Sequence, residues 1–128
     1  MADEQLDFPA EFIPDADQVF MRAHRNFLRN GAITPSVFRA QGEGMSVEWG
    51  KYATPEETRN RARKPIDNAI LALIAGEIRS KAGLGVNHTP LPENRAHSDV
   101  ALPRDDEDLT EARIKLGRIA TLAIPLDS

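Results

Sequence analysis

The sequence predicts one small α+β domain: a mostly antiparallel sheet, a short helix capped by Thr-Pro, and an amphipathic helix near the C-terminal end. Three observations lead there. The 128 residues, 41% hydrophobic and 28% charged, can bury a core without a disulfide or a structural metal. Between residues 19 and 102, short β-type runs are separated by Gly- and Pro-containing turns. Strong helix-start signals occur around Thr54 and around Asp108.

Residues 1–14 mix acids with Phe8, Phe12 and Ile13 and are interrupted by Pro9 and Pro14, which predicts an extended acidic arm ahead of a domain over 15–128. Its aromatic residues imply that it docks. Val19 to His24 has two readings. Asp15 or Asp17 can cap a helix through Gln18 to Asn30 stopped by Gly31, or the alternation of Val19, Met21 and Ala23 with Phe20, Arg22 and His24 makes a strand. Six residues do not decide between the two periods.

Further on, Val37–Gln41 and Met45–Trp49 read as extended segments around Gly42-Glu43-Gly44. Thr54-Pro55-Glu56-Glu57 joins an N-cap threonine, a proline at the first helical position and a glutamate placed to complete a capping box. The helix predicted from it, about Pro55 to Arg63, ends at Lys64-Pro65 and has little apolar surface, so it should be exposed. Asn68 to Ala75 reads as a strand buried on both faces. A turn or short helix follows over Gly76–Lys81, then a strand at Gly83–Val86, a proline-stiffened loop with Pro90 and Pro92, and a returning strand within Ala96–Leu102. The last helix takes Asp108 as N-cap and turns Leu109, Ala112, Ile114, Leu116, Ile119 and Ala120 to the core until Pro125. Trp49 and Tyr52 are expected to pack at a sheet edge. There is no internal repeat.

Cysteine is absent, which excludes disulfide scaffolds, zinc ribbons, iron–sulfur clusters and cysteine nucleophiles. The start has neither a basic n-region nor a long apolar run, and no stretch reaches 18 apolar residues, so a cytoplasmic protein with no membrane span is expected. The net charge of −4 is segregated: −6 over residues 1–21, +5 over 22–64 and −3 over 65–128. The acidic arm therefore has a basic middle available to pair with. Arg22, Arg25 and Arg29 would form a ridge on a helix, and Arg59, Arg61, Arg63 and Lys64 sit near a helix C-terminus, where the macrodipole favours cations. An acidic chain with 5% aromatic residues argues against nucleic acid as the partner.

The candidate binding cluster is Arg22, His24, Ser46, Glu48, His88, Asn94 and His97. His88 and His97 flank the proline-stiffened loop, and histidine is the side chain whose ordinary pKa lies nearest neutrality. The histidines with Glu48 or Glu93 could ligate zinc, but the spacing of His88 and His97 matches no zinc signature, so no metal and no cofactor are expected. A histidine could serve as general acid or base while Arg22, Arg25 or Arg39 holds an anionic substrate. Alternatively, the pair only caps turns, with Asn94 in an Asx turn. Ser46 has no nucleophile elbow, and neither a dinucleotide fingerprint nor a Walker A sequence is present.

Over about residues 14–100 the chain resembles a family of small uncharacterised bacterial proteins. The shared pattern is the arginine-containing strand Val19-Phe20-Met21-Arg22, an aromatic strand at Val37-Phe38, and Met45-Ser46-Val47-Glu48. A Thr-Pro-Glu-Glu helix start at Thr54 to Glu57 follows, then His88-x-Pro90 leading to Asn94 and His97. The resemblance implies a bacterial origin and the strand reading of Val19–His24, and it implies no biochemical function. The order Arg22, Ser46, then Glu77 or Glu93 is also similar to the Arg–Ser–Glu order of ADP-ribosyltransferase-like folds, without their paired acids or Ser-Thr-Ser run. Because no catalytic signature is complete, the favoured reading is a protein-binding or accessory module, with a protein partner or operon-encoded complex meeting the arm and the His88–His97 loop, and homo-oligomerisation left open. The alternative is an enzyme or a small-ligand or nucleotide binder with an Arg/Ser/His site.

Overall fold

Strands β1 (Gln18–His24) and β5 (Asn68–Ile74) form the longest ladder, seven pairs from Gln18↔Ile74 to His24↔Asn68. Around them a computed structural model, which describes residues 7–40 and 44–126, builds one α+β domain on a six-stranded antiparallel sheet. The other strands are β4 (Met45–Trp49), β6 (Val86–His88), β7 (His97–Val100) and β8 (Thr121–Ile124), in the order β6-β7-β4-β1-β5-β8. A small hairpin, β2 (Leu28–Arg29) with β3 (Ala32–Ile33), stands apart from the sheet. Its turn holds Asn30 and Gly31 at positive φ, which asparagine and glycine tolerate best. The helices are α1 (Pro55–Asn60), α2 (Ala75–Ser80) and α3 (Asp106–Ile119). Among the described residues no helix is long and apolar enough to cross a membrane.

Because successive strand residues point to opposite faces, one face of the sheet gathers Val19, Met21, Ala23, Val47, Trp49, Leu71, Leu73 and Val100 into the main core. Ala75 and Ile78 of α2, Ala112 and Leu116 of α3, Phe38 and Ile13 complete it. The opposite face carries a smaller apolar cluster of Phe20, Ile70 and Ala72, with Ile124 against it, and the polar residues of β1 and β4. Strand β5 is buried from Asn68 to Leu73 because both faces are covered.

Residues 18–24 are thus a strand, which removes the arginine ridge a helix would have made. Pro35–Val37 is a 3-10 turn rather than the start of a strand, and Val37 and Phe38 are buried as core side chains. Of the glycine turn expected after them, residues 41–43 lie outside the described residues. Strand β4 sits inside the sheet between β7 and β1. Trp49 is therefore a core residue, 1% exposed, and not an edge residue. Its Nε1–H donates to Asp17 at 2.9 Å.

Helix α1 forms the full capping box: Thr54 Oγ1 accepts from the Glu57 amide at 3.1 Å and Glu57 Oε1 accepts from the Thr54 amide at 2.9 Å. It ends at Asn60, earlier than its sequence implies, and it is not simply exposed. Thr58, 1% exposed, turns inward, and the contact it makes is polar, so hydropathy did not reveal it. In α3 the cap is Asp105, which accepts from the Glu107 and Asp108 amides at 3.1 Å, so the helix starts earlier than Asp108. Ile114 is exposed, and the end expected to be helical leaves α3 at Ile119 and runs as edge strand β8 against β5. Four residues of alternation are too short a signal to displace a helical pattern.

The arm, residues 7–14, is extended and lies against the domain, with Ile13 in its core. Its charges meet Lys51 but otherwise go to cations outside the basic middle: Glu11 lies 2.7 Å from Lys51 and 3.7 Å from Arg95. Arg79 donates to Ile13 O and to Asp15, both at 2.7 Å, and stacks over Phe12. Gly76 allows this docking, since a Cβ there would stand 2.8 Å from the Asp15 Cβ.

Candidate functional site

The ladder between β1 and β4 is short. It registers Val19↔Trp49 and Phe20↔Glu48 and goes no further. Beyond it a cavity of about 230 Å³ opens between the strands, bordered by Met21, Arg22 and His24 on one side and by Met45, Ser46 and Val47 on the other. Gly50 N–H donates to Gln18 O at 2.9 Å, and strand alternation then points the backbone groups of Glu48 and Ser46 toward β1 as well. Arg22 and Ser46, the next positions in that register, both line the opening.

Six of the seven cluster residues line this cavity: Arg22, His24, Ser46, Glu48, Asn94 and His97. Register explains the gathering. Glu48 faces Phe20 on β1 and His97 on β7, so the β1 face with Arg22 and His24 and the β4 face with Ser46 and Glu48 are one surface. Asn94 reaches it from the β6–β7 loop.

Glu48, 5% exposed, is the most constrained group. Its Oε1 accepts from Thr58 Oγ1 at 2.9 Å and its Oε2 from Asn94 Nδ2 at 2.9 Å. Arg61 Nε lies 3.1 Å from Oε2, and Arg22 Nη1 stands 3.8 Å away while donating to Thr58 O at 3.2 Å. A buried carboxylate needs such partners, and with four of them Glu48 anchors the wall. Arg39, also lining the cavity, stacks over the Phe27 ring at 4.8 Å; among the described residues it has no carboxylate partner.

Ser46 and His97 form the second constellation. Ser46 Oγ lies 3.4 Å from His97 Nε2. On the far side of the ring, Nδ1 is 2.9 Å from Thr89 O and 3.0 Å from Thr89 Oγ1, whose hydroxyl donates to Asp99 at 3.0 Å. A carbonyl oxygen only accepts, so Nδ1 carries the hydrogen and, in the neutral ring, Nε2 keeps its lone pair toward Ser46. His24 lines the cavity too, with Nδ1 accepting from the Asn26 amide at 3.1 Å.

His88 does not belong here. It pairs with Ser98 in the ladder, which puts it on the main-core face, 3% exposed. Its Nδ1 accepts from the Glu11 amide at 3.0 Å, its Nε2–H donates to Arg95 O at 2.7 Å, and it packs edge-on to Trp49 at 5.0 Å. It fastens the arm to the hairpin, and the His88–His97 loop presents no histidine pair. Glu77 and Glu93 also lie away from the cavity: Glu77 of α2 pairs with Lys81 just past the helix end, and Glu93 is exposed on the loop. Among the described residues no group of three or more His, Asp or Glu could hold a metal ion.

Sequence reasoning missed Thr58, Arg61, Thr89 and Asp99. Asp99 had a signal, since it shares strand parity with His97 just as Ser46 does with Glu48. Thr89 acts partly through its main chain, which no side-chain pattern encodes. No protein-family model matches the chain, and neither a curated protein nor a solved structure matches it.

Proposed function

We propose that the protein binds a small anionic ligand in the opening between β1 and β4. Arg22 and Arg39 hold its charge, and Ser46 and His97 supply directional hydrogen bonds. The observation that carries this reading is the gathering of these four residues at one cavity whose lining carboxylate, Glu48, already has Arg61 as a counter-charge. The lining is left with net positive character, and Phe20, Phe27 and Met45 offer apolar wall beside it. At about 230 Å³ the space suits a ligand smaller than a typical drug. Calorimetric titration with inorganic phosphate, acetate and benzoate tests it. Saturable binding of at least one of these, weakened about tenfold or more in Arg39→Met, supports the reading. No saturable binding, or equal binding in Arg39→Met and Arg22→Met, refutes it.

A protein-partner role draws on a different observation, Phe12, 74% exposed on an arm whose neighbours are docked. Recovery of a partner by the wild type but not by Phe12→Ser supports it, and equal recovery removes it. Both readings assume a cytoplasmic protein.

A further inference from the structure

Resting on the ligand site above, we propose that Ser46 is a nucleophile and His97 its general base, so that the opening hydrolyses small carboxylic esters bearing a negative charge. Three features meet here that ester hydrolysis requires. The hydroxyl lies 3.4 Å from His97 Nε2, the nitrogen that keeps its lone pair in the neutral ring when Nδ1 donates to Thr89 O; such contacts are often long before a ligand arrives and tighten when it binds. The base is oriented from behind by Thr89 O at 2.9 Å, which fixes the ring tautomer. Beyond the last registered pair, Phe20↔Glu48, strand alternation turns the backbone N–H groups of Ser46 and Arg22 into the opening, where they can donate to an oxyanion forming beside Ser46 Oγ. Arg22 and Arg39 select a substrate with a negative charge. Ser98, by contrast, is fully buried on the other face, with its hydroxyl donating to Ala96 O at 3.1 Å, and has no such setting.

In the first step Ser46 Oγ bonds to the ester carbonyl carbon, its proton passes to His97 Nε2, and the carbonyl electron pair becomes the oxyanion. Collapse breaks the carbon–oxygen bond to the alcohol, which leaves with the proton from His97. Water then attacks the acyl carbon and gives a proton to Nε2. The bond to Ser46 Oγ breaks, the serine recovers that proton, and the carboxylic acid departs. No oxidant or reductant is consumed.

The test treats the full chain with diisopropyl fluorophosphate, in which Oγ–P forms, P–F breaks, fluoride leaves and the proton passes through His97 to solvent. Intact mass and peptide mapping locate the adduct, mono-p-nitrophenyl succinate, an ester that carries a carboxylate, reports turnover, and thermal unfolding verifies that each variant is folded. The expected result is a single adduct on Ser46, slowed by inorganic phosphate, absent in Ser46→Ala and about 100-fold or more slower in His97→Gln. Mapping on the wild type stands even if a variant does not fold. An adduct elsewhere, or an undiminished rate in folded His97→Gln, overturns the proposal. A wild type that binds an anion in the calorimeter yet takes no label overturns the nucleophile and leaves the ligand site standing; one that does neither overturns both.

Discussion

His88 and His97 close the two ends of one hairpin loop, yet they face opposite sides of the sheet. His88, opposite Ser98, goes into the core with both ring nitrogens committed to backbone groups of the arm and the loop. His97, opposite Glu48, keeps one nitrogen on Thr89 and turns the other to Ser46 at the cavity. Identical side chains are thus given different work by strand parity alone. The same division runs through the whole sheet: one face is closed by α2 and α3, and the other is split between β1 and β4. Substitutions on the closed face should therefore change stability, and those at the split should change binding.

The largest contrast is between Leu71 and Ser46. Leu71, fully buried in the main core, should lose about 2–5 kcal/mol on replacement by alanine. Ser46→Ala should change stability by less than about 1 kcal/mol, since it removes one long hydrogen bond. Urea unfolding of both measures the difference, and equal losses would mean that the split face is part of the core.

Next comes the histidine pair itself. His88→Gln leaves the Glu11 amide or the Arg95 carbonyl without its partner and should destabilise by about 1–3 kcal/mol. The sole tryptophan, Trp49, packs against His88 and reports the arm's release through its fluorescence. His97→Gln should cost about 1 kcal/mol or less while weakening anion binding. The same pattern from both substitutions in both measurements would mean that strand parity does not divide the work of the two histidines.

Parity was readable in the sequence and its consequences only partly so. The fold was legible where a continuous apolar run marks a strand covered on both faces, as in Asn68–Ile74, and where a cap is written in side chains, as at Thr54 to Glu57. Strand β8 was not, because Thr121–Ile124 follows a helical stripe without a break in hydropathy. At the site, the residue types that gather at the cavity could be read, but not which of the two loop histidines would join them. That depends on the register of β7 against β4, a long-range fact that places His97 opposite Glu48. The early end of the β1–β4 ladder, which creates the cavity, has no local sequence signal.

Helix α1 covers the split face through Thr58, so its cap offers a milder way to loosen that side alone. Thr54→Ala removes the side-chain half of the capping box and should lower stability by about 0.5–2 kcal/mol. Because Thr58 holds Glu48, anion binding should weaken in the same variant, whereas the Trp49 signal of the arm should stay unchanged. A shifted tryptophan spectrum with intact binding would show that α1 supports the wrong face for this account.

The smallest effect belongs to the closed side and is driven by pH. Hydrogen bonds from Lys51 first and from the Tyr52 hydroxyl second hold the Glu11 carboxyl below the ordinary glutamate value of 4.5. A group depressed in the folded state stabilises above its unfolded pKa, and that contribution is lost as pH falls through the folded value. The same contact, with Glu11 as the leading cause, raises Lys51 above 10.5, so its share is full below that value and disappears as pH climbs through the folded pKa. The docked arm should therefore show a plateau between about pH 5 and 10, with an acidic and an alkaline shoulder. Glu11→Gln removes the carboxylate and both shoulders together, so the difference in melting temperature between wild type and variant should be constant across the plateau and shrink at either end. Added salt should reduce it, as it does for exposed pairs. Parallel melting curves from pH 2 to 12 would show that Glu11 contributes no charge interaction and that His88 alone fastens the arm.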